Sequence, residues 1–230
     1  MSSSPSREDA SGAGNGRRGH KDAPELSPAE FWERRYAGSG SDAVWSGHAN
    51  QAMVYAISEL TPGNALDLGC GEGGDAIWLA QRGWSVTGID ISPTAIERAS
   101  AAALDLGLGP RRCQFVADDL AQWRTDETFD LVTSSFMHSP VEFDRGKILR
   151  KAAGRVRPGG HLLVVSHGTT PPWSAAARHR PHAAEDPMSG LVLDPDLWTT
   201  VLDERHPRHV AGPDGQQAII DDVILLFQRR

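Results

Sequence analysis

The sequence predicts one α/β domain organised on an open, mostly parallel β-sheet with helices packed on both faces. Three observations carry that expectation. From Asn64 onward, short apolar runs alternate with amphipathic segments, the pattern of successive βαβ units. The first run, Ala65-Leu66-Asp67-Leu68, passes directly into a glycine-rich turn and the start of a helix. The last two apolar runs are separated only by the turn Gly212-Pro213-Asp214-Gly215, so the final strand enters the sheet antiparallel. At 230 residues, 39% hydrophobic and 23% charged, the chain is long enough for one domain with a substantial core.

Residues 1–25 are rich in Ser, Gly, Arg and Asp and bury too little apolar surface to offset ordering, so a disordered tail is expected there. Ser27-Pro28-Ala29-Glu30 is a capping box with proline in the first turn, which starts a helix carrying Phe31, Trp32 and Tyr36. After a Gly-Ser break, a second helix runs to about Leu60 with Met53, Val54, Ile57 and Leu60 on one side, and Thr61-Pro62-Gly63-Asn64 stops it. The first strand, 65–68, leads into a helix from about Gly74 to Arg82 closed by Gly83, and the second strand, 84–89, ends in Asp90. Ser92 caps an alanine-rich helix with Pro93 first, closed at Gly107. Strands at 114–117 and 129–135 follow, and the second of these leads through Phe136-Met137-His138 to a helix from about Glu142 to Val156. Arg157-Pro158-Gly159-Gly160 introduces a fifth strand, 161–166. Residues 168–190 are longer than a plain connector and read either as a lid over substrate or as a surface excursion. A short helix is expected from Asp194, burying Leu197, Trp198 and Val201, before the hairpin of His209-Val210 and 218–227.

Composition narrows the function. A net charge of −7 and a pI near 5.7 argue against broad binding to nucleic acid or to an anionic membrane, since phosphate neutralisation needs a basic face. No apolar run approaches the roughly 20 residues of a membrane span, and the N-terminus lacks a signal peptide's apolar core, so a cytoplasmic location is expected. Cys70 and Cys113 are too few for a disulfide framework and read as reduced thiols.

The glycine-rich turn carries the chemistry. Gly69, Gly71, Gly73 and Gly74 let the backbone turn sharply and lie against a ligand, and the following helix offers unpaired N–H groups to it. The spacing Gly69-x-Gly71-x-x-Gly74 also satisfies the dinucleotide fingerprint, so the glycines alone leave the ligand open. The charges discriminate: the turn carries Asp67, Glu72 and Asp75, with no Lys or Arg between Asn64 and Gln81. That arrangement opposes a pyrophosphate and suits a ligand bringing its own ammonium and sulfonium, as S-adenosylmethionine does.

In an open parallel sheet, ligands sit outside the carboxyl ends of the strands. Asp67 lies near the end of the first strand, suited to accept from the ligand ammonium. Asp90 ends the second, 21 residues after Gly69, where a carboxylate can accept from both ribose hydroxyls. Asp118-Asp119-Leu120 ends the third, where a carboxylate can accept from the adenine amino group while the Leu120 N–H faces a ring nitrogen. Ser134 and Ser135 end the fourth. Cys70 and Ile91, beside Gly69 and Asp90, belong to the same candidate lining. Each acid taken singly reads as well as a helix cap or a solvated strand end; their succession is what points to a ligand.

Taken together, ALDLGCGEGGD, VTGIDIS, FVADDL, FDLVTSSFMH and RVRPGGHLLVV, in this order and spacing, resemble a class I S-adenosylmethionine-dependent methyltransferase, from about Phe31 to the C-terminus. The opening FWERRYAGSGSDAVWSG resembles the thiopurine and tellurite-resistance branch, which acts on small molecules. The resemblance implies a Rossmann-like seven-stranded sheet in the order 3-2-1-4-5-7-6 with strand 7 antiparallel, an N-terminal helical cover, and one methyltransferase domain over 26–230. It further implies that Trp32 and Trp45 lie over the cofactor, and that Asp67, Gly69, Gly71, Asp90, Asp119 and Ser134 contact it. Asp118 stands where the family often has a small residue, which leaves open which aspartate meets adenine.

Methyl transfer is an in-line displacement at a carbon already activated by a sulfonium, so the protein chiefly aligns a nucleophile and excludes water. His138, just past the fourth strand, is the first candidate for proton removal or substrate hydrogen bonding, and His167, past the fifth, the second. His138 reads as well as a cap of the following helix or a pocket wall. Arg145 and Lys147 are expected to be solvated. No metal is expected: Pro181 breaks the helix that would align His179 and His182, and no third ligand joins Asp118-Asp119. The expected acceptor is a small molecule whose sulfur, nitrogen or oxygen is methylated, with no nucleic-acid or membrane partner, and the chain is expected to be a monomer or weak homodimer. The competing readings are an NAD-dependent oxidoreductase and a cofactor-binding domain without catalysis.

Overall fold

The computed structural model describes residues 26–40, 42–173, 188–212 and 214–230. The expected disordered tail over 1–25, the His179/His182 pair and most of the expected lid lie outside them. Two helices, α1 (Pro28–Gly38) and α2 (Gln51–Ile57), precede an alternation of β1 (Asn64–Leu68), α3 (Gly74–Gln81), β2 (Ser85–Asp90), α4 (Pro93–Asp105), β3 (Cys113–Ala117), β4 (Phe129–Ser135), α5 (Arg145–Ala153) and β5 (Val156–His167). The chain closes on β6 (Trp198–Ala211) and β7 (Gln217–Arg229).

All seven strands form one sheet in the order β3-β2-β1-β4-β5-β7-β6. β1 to β5 run parallel, and β7 is antiparallel to both β5 and β6. The order reverses between β1 and β4, which opens a crevice at the carboxyl ends of those strands. Period-two alternation divides the core. Leu66, Leu68, Val132 and Leu162 pack on the face covered by Ile148, Leu149 and Ala152 of α5, while Ala65, Leu131 and Leu163 pack on the face covered by α2 and α3.

Local signals set the helix starts as the sequence anticipates. Ser27 and Glu30 form the reciprocal capping box on α1, and the Ser92 side chain accepts from Ala95 N at the start of α4. Asn50 caps α2 by accepting from Ala52 N and Met53 N. The fifth helix is shorter than expected, because Asp144 caps it by accepting from Lys147 N.

One element differs in kind. The helix expected from Asp194 is absent, and the same residues lead into the 14-residue strand β6, with Leu197 and Val201 about half exposed. Its burial alternates residue by residue along Leu202, Glu204, His206, Arg208 and Val210, because β7 presents a ladder of matching length. Pro207 fits because β6 is an edge strand needing no N–H on its outer side. Among the described residues no helix is long and apolar enough to cross a membrane.

Candidate functional site

The carboxyl edge of the sheet gathers the polar side chains in one line. Gly69 and Cys70 donate their N–H groups to Ile89 O at 2.8 and 3.0 Å, which ties the glycine turn to the end of β2. Asp90 completes the tie: its Oδ2 accepts from Gly71 N at 2.9 Å and its Oδ1 from Ser92 N at 3.0 Å. Burial pushes the Asp90 carboxyl up, and the N–H groups of Ser92, Gly71 and Ile91 oppose that. Gly71 has φ 52°, and a Cβ there would meet Tyr36 Oη at 2.9 Å, so the turn is a cradle only glycine fits. Cys70 is held as a neutral thiol by burial.

Asp67 is 2% exposed, and its Oδ1 accepts from Thr133 Oγ1 at 2.8 Å while its Oδ2 is buried with no partner. Burial, reinforced by the Asp75 carboxylate, pushes its pKa up to about 8. Asp75 is buried as well and accepts from Asn50 N at 2.6 Å. Ser134 beside them is fully buried, its hydroxyl also lacking a partner. Among the described residues no cation pairs with either buried carboxyl group, and the orphaned Asp67 oxygen leaves a polar atom for a ligand to satisfy.

The N-terminal segment closes over the turn. Glu33 of α1 accepts from Ser92 Oγ at 2.6 Å and from both Thr94 N and Thr94 Oγ1, at the start of α4. Arg98 of α4 donates to Tyr36 O, Gly40 O and Ser39 Oγ and pairs with Glu72 at 2.8 Å. Glu72 in turn accepts from Val44 N and Trp45 N. Trp45 Nε1 donates to Tyr36 Oη at 2.8 Å above Gly71, and Trp32 Nε1 donates to Ser139 Oγ at 3.2 Å, beyond β4. Tyr36 Oη and Trp45 Nε1 both face the Gly71 position, 2.9 and 3.4 Å from where a Cβ would stand, while Trp32 reaches Ser139 instead.

At the end of β3, Asp118 N donates to Asp90 O at 3.0 Å. The Asp119 side chain turns onto its own loop and accepts from Ala121 N at 2.8 Å. Leu120 points into the core, and its carbonyl accepts from Lys151 Nζ at 3.3 Å.

The other half of the edge belongs to β4, β5, β7 and β6. Phe136 has φ 51°, the one non-glycine residue with positive φ among those described, and its ring stacks on His167 at 4.3 Å. His138 stacks on the same imidazole at 5.6 Å with planes 17° apart. His167 Nδ1 faces Asp222 Oδ1 at 3.7 Å, and Asp222 is clasped by Arg208 Nε at 2.7 Å and Nη2 at 3.1 Å. Burial raises the Asp222 carboxyl, but His167 and Arg208 outweigh it, leaving the pKa below the usual carboxylate value.

The structure thus brings Asp67, Gly69, Cys70, Gly71, Asp90, Ile91, Ser134 and Trp45 around one turn, and His138, His167 and Trp32 beside it. It corrects one expectation: Arg145 is not solvated but 7% exposed, donating from Nη2 to Ser166 Oγ at 2.9 Å, while Lys147 is exposed. α5 starts at Arg145, and its first turn packs against the end of β5. Sequence reasoning missed Glu33, Tyr36, Arg98, Arg208 and Asp222 as neighbours of the site. Tyr36 was accessible as the residue four after Trp32 on a helix, and Asp221-Asp222 as a charged pair inside an apolar run. Among the described residues, no group of three or more His, Cys, Asp or Glu side chains could hold a metal ion.

Comparison with known proteins settles the family. The methyltransferase domain family matches residues 65–160. The 2-heptyl-1-hydroxyquinolin-4(1H)-one methyltransferase of Mycobacteroides abscessus is 33% identical over 82% of this chain and 84% of its own length. The chain belongs to the class I S-adenosylmethionine-dependent methyltransferases of the small-molecule type. Thiocyanate methyltransferase 1 of Brassica oleracea is 26% identical over 87% of this methyltransferase and 93% of its own length. The N-methyltransferase NodS of Bradyrhizobium japonicum, solved with S-adenosyl-L-homocysteine, shares the fold with a TM-score of 0.62, at 23% identity over 87% of this chain and 97% of its own. The cofactor of the methyltransferase is S-adenosylmethionine, which sets the NAD-dependent reading aside. Its residues fit that group: the orphaned Asp67 Oδ2, buried at the end of β1, suits an ammonium.

Proposed function

We propose that this enzyme methylates a flat, protic small-molecule acceptor at sulfur, nitrogen or oxygen, using the two halves of the sheet edge for separate tasks. The observation that carries the reading is the division of that edge: buried acids and glycines on β1 and β2, aromatic rings and imidazoles on β4 and β5. Bound S-adenosylmethionine supplies a methyl carbon made electrophilic by its sulfonium. Asp67 receives the ligand ammonium, Asp90 the ribose hydroxyls, and Asp118 or Asp119 with the Leu120 N–H the adenine edge. Gly69, Cys70, Gly71, Ile91 and Ser134 line the channel between them, with Trp32 and Trp45 as its roof. Since Asp119 Oδ1 is engaged by Ala121 N, Asp118 is the favoured adenine acceptor.

Phe136, His138 and His167 form a stacked wall suited to an aromatic ring. The relative from Mycobacteroides abscessus, named for a hydroxyquinolone, supports that acceptor class. His138 and His167 are positioned to hydrogen-bond the acceptor or take its proton, a role that adds to alignment and water exclusion. The acidic composition supports action without nucleic acid or an anionic membrane, and the reading has the enzyme work in the cytoplasm as a monomer or weak homodimer.

Titration calorimetry with S-adenosylhomocysteine and with NAD tests the cofactor half; saturable binding of NAD alone would overturn it. Incubation with labelled S-adenosylmethionine and a panel of thiols, amines, phenols, hydroxyquinolones and thiocyanate tests the acceptor half. Turnover confined to aromatic protic compounds is expected, and turnover of none would leave a cofactor-binding role without catalysis.

A further inference from the structure

Three adjacent strands at the far end of the sheet carry a line of charge that the cofactor does not use. Arg208 on β6 clasps Asp222 on β7 through two hydrogen bonds, and Asp222, 3% exposed, faces the imidazole of His167 on β5. The register is direct, because His167 and Asp222 are paired residues of the antiparallel ladder. Next to that pair, Gly168 N and Thr169 N donate to Asp221 O, and Asp221 N donates to Thr169 Oγ1 at 2.8 Å, which pins the chain leaving β5 to β7. The ring itself stacks on Phe136, which also has the Arg208 guanidinium 5.7 Å from its centroid.

The exposure of His167 is one-sided. Its side chain is 38% accessible, yet Nδ1 is sealed from solvent and has no hydrogen-bond partner. The accessible surface therefore belongs to the rest of the side chain, and Nε2 is the ring nitrogen not sealed away. The 3.7 Å separation from Asp222 Oδ1 is within about 1 Å of an ordinary hydrogen bond, the looseness common in catalytic pairs before substrate arrives.

We propose that Asp222, held in place by Arg208, is a positioning residue that fixes His167 with its proton on Nδ1, so that Nε2 is the proton acceptor for the methyl acceptor. The inference rests on the small-molecule methyltransferase reading and deepens it by ranking His167 above His138 as the base. In the step, the proton of the acceptor's O–H, S–H or N–H group passes to Nε2 and the electron pair left behind forms the new bond to the methyl carbon, while the bond from that carbon to the sulfonium would break with its electron pair going to sulfur, so that S-adenosylhomocysteine would be the leaving group. The imidazolium so formed is balanced by the Asp222 carboxylate. Acceptors that must lose a proton are the class this arrangement serves, and an anion such as thiocyanate has no need of it.

The tautomer is directly measurable. Long-range 1H–15N correlation spectra of the full-length protein labelled with 15N-histidine, recorded well above the ordinary histidine titration range, distinguish a protonated Nδ1 from a protonated Nε2; His167→Gln assigns the signal. The expected wild-type pattern is Nδ1–H. Asp222→Asn presents an amide N–H to Nδ1 and is expected to move the majority to Nε2–H, while Asp222→Glu retains the Nδ1–H form. Calorimetry with S-adenosylhomocysteine runs in parallel and is expected to change less than about 3-fold in Asp222→Asn, because Asp222 lies outside the cofactor half. A wild-type His167 protonated on Nε2, or a tautomer that Asp222→Asn leaves unchanged, would overturn the proposal even where the cofactor still binds. Absence of S-adenosylhomocysteine binding to the wild type would instead sink the reading beneath it, and the tautomer result would stand apart.

Discussion

Replacing Asp67 by asparagine is expected to make the protein more stable at neutral pH and worse at holding its cofactor, two effects of opposite sign from one buried oxygen. In the folded chain burial pushes the Asp67 pKa up to about 8, against about 3.9 for an unfolded aspartate. The folded group therefore keeps a proton that the unfolded chain releases. Its contribution to stability is complete below about pH 4 and is lost as pH rises from there through about 8. At pH 7 that window spans roughly three pH units at about 1.4 kcal/mol each, on the order of 4 kcal/mol working against the fold. The amide of the variant has no such titration, but its NH2 group occupies the place of the unpartnered Oδ2, a buried donor that costs about 1–3 kcal/mol. The net expectation is a gain on the order of 1–3 kcal/mol near pH 7, turning into a loss near pH 4. Cofactor binding moves the other way: exchanging a charge-assisted hydrogen bond for a neutral one removes about 1.5–3 kcal/mol, roughly a 10- to 100-fold rise in Kd. Urea denaturation of both proteins from pH 4.5 to 8 reads the first effect, and calorimetry with S-adenosylmethionine reads the second. A stability difference that stays flat across that pH range would refute the electrostatic account, and an unchanged Kd would refute the ammonium assignment.

Asp90→Ala removes the acceptor for both Gly71 N and Ser92 N and is expected to weaken S-adenosylhomocysteine binding by about 10-fold or more, measured by calorimetry. Gly71→Ala forces a side chain into φ 52° against Tyr36 Oη, with an expected stability loss of about 1–2 kcal/mol and a lower melting temperature. Arg98→Ala strips the cation from Glu72, whose side chain is 8% exposed, and frees the carbonyls of Tyr36 and Gly40. Limited proteolysis between residues 26 and 50 is expected to accelerate, with a stability loss of about 2–4 kcal/mol by denaturation. Cleavage rates equal to the wild type would show that the cover is held by packing alone.

What could be read in advance was local. The capping box at Ser27, the caps at Ser92 and Asn50 and the positive-φ glycines act within a few residues of chain, so their meaning survives without neighbours. The acids at Asp67 and Asp90 were legible as a series because parallel strands bring successive carboxyl ends to one edge. What failed was non-local. The chain from Trp198 looked like a short amphipathic helix, and only the matching length of β7 made it a strand. Arg145 looked solvated because its burial depends on a hydroxyl of β5, 21 residues away. The Glu33 clasp joins residues 59 apart, and no spacing rule announces it.

By itself the sequence determined the donor side of the reaction: a glycine turn that only small backbone fits, set among acids with no basic residue, selects a ligand carrying positive charge. It also determined the parallel run of the sheet and its antiparallel close, since the alternation of apolar runs, the crossover lengths and the final hairpin leave few alternatives. Only the tertiary structure decided which residues stand together along the other half of the edge. Arg208, Asp222 and His167 lie on three strands and become one unit because β7 inserts antiparallel between β5 and β6. Tyr36 likewise meets Gly71 only because Glu33 fastens α1 to the start of α4. The physical reason is the same in both cases: turns and caps are decided by neighbours along the chain, whereas an ion pair or a stacked ring is decided by which strands the packed core sets side by side.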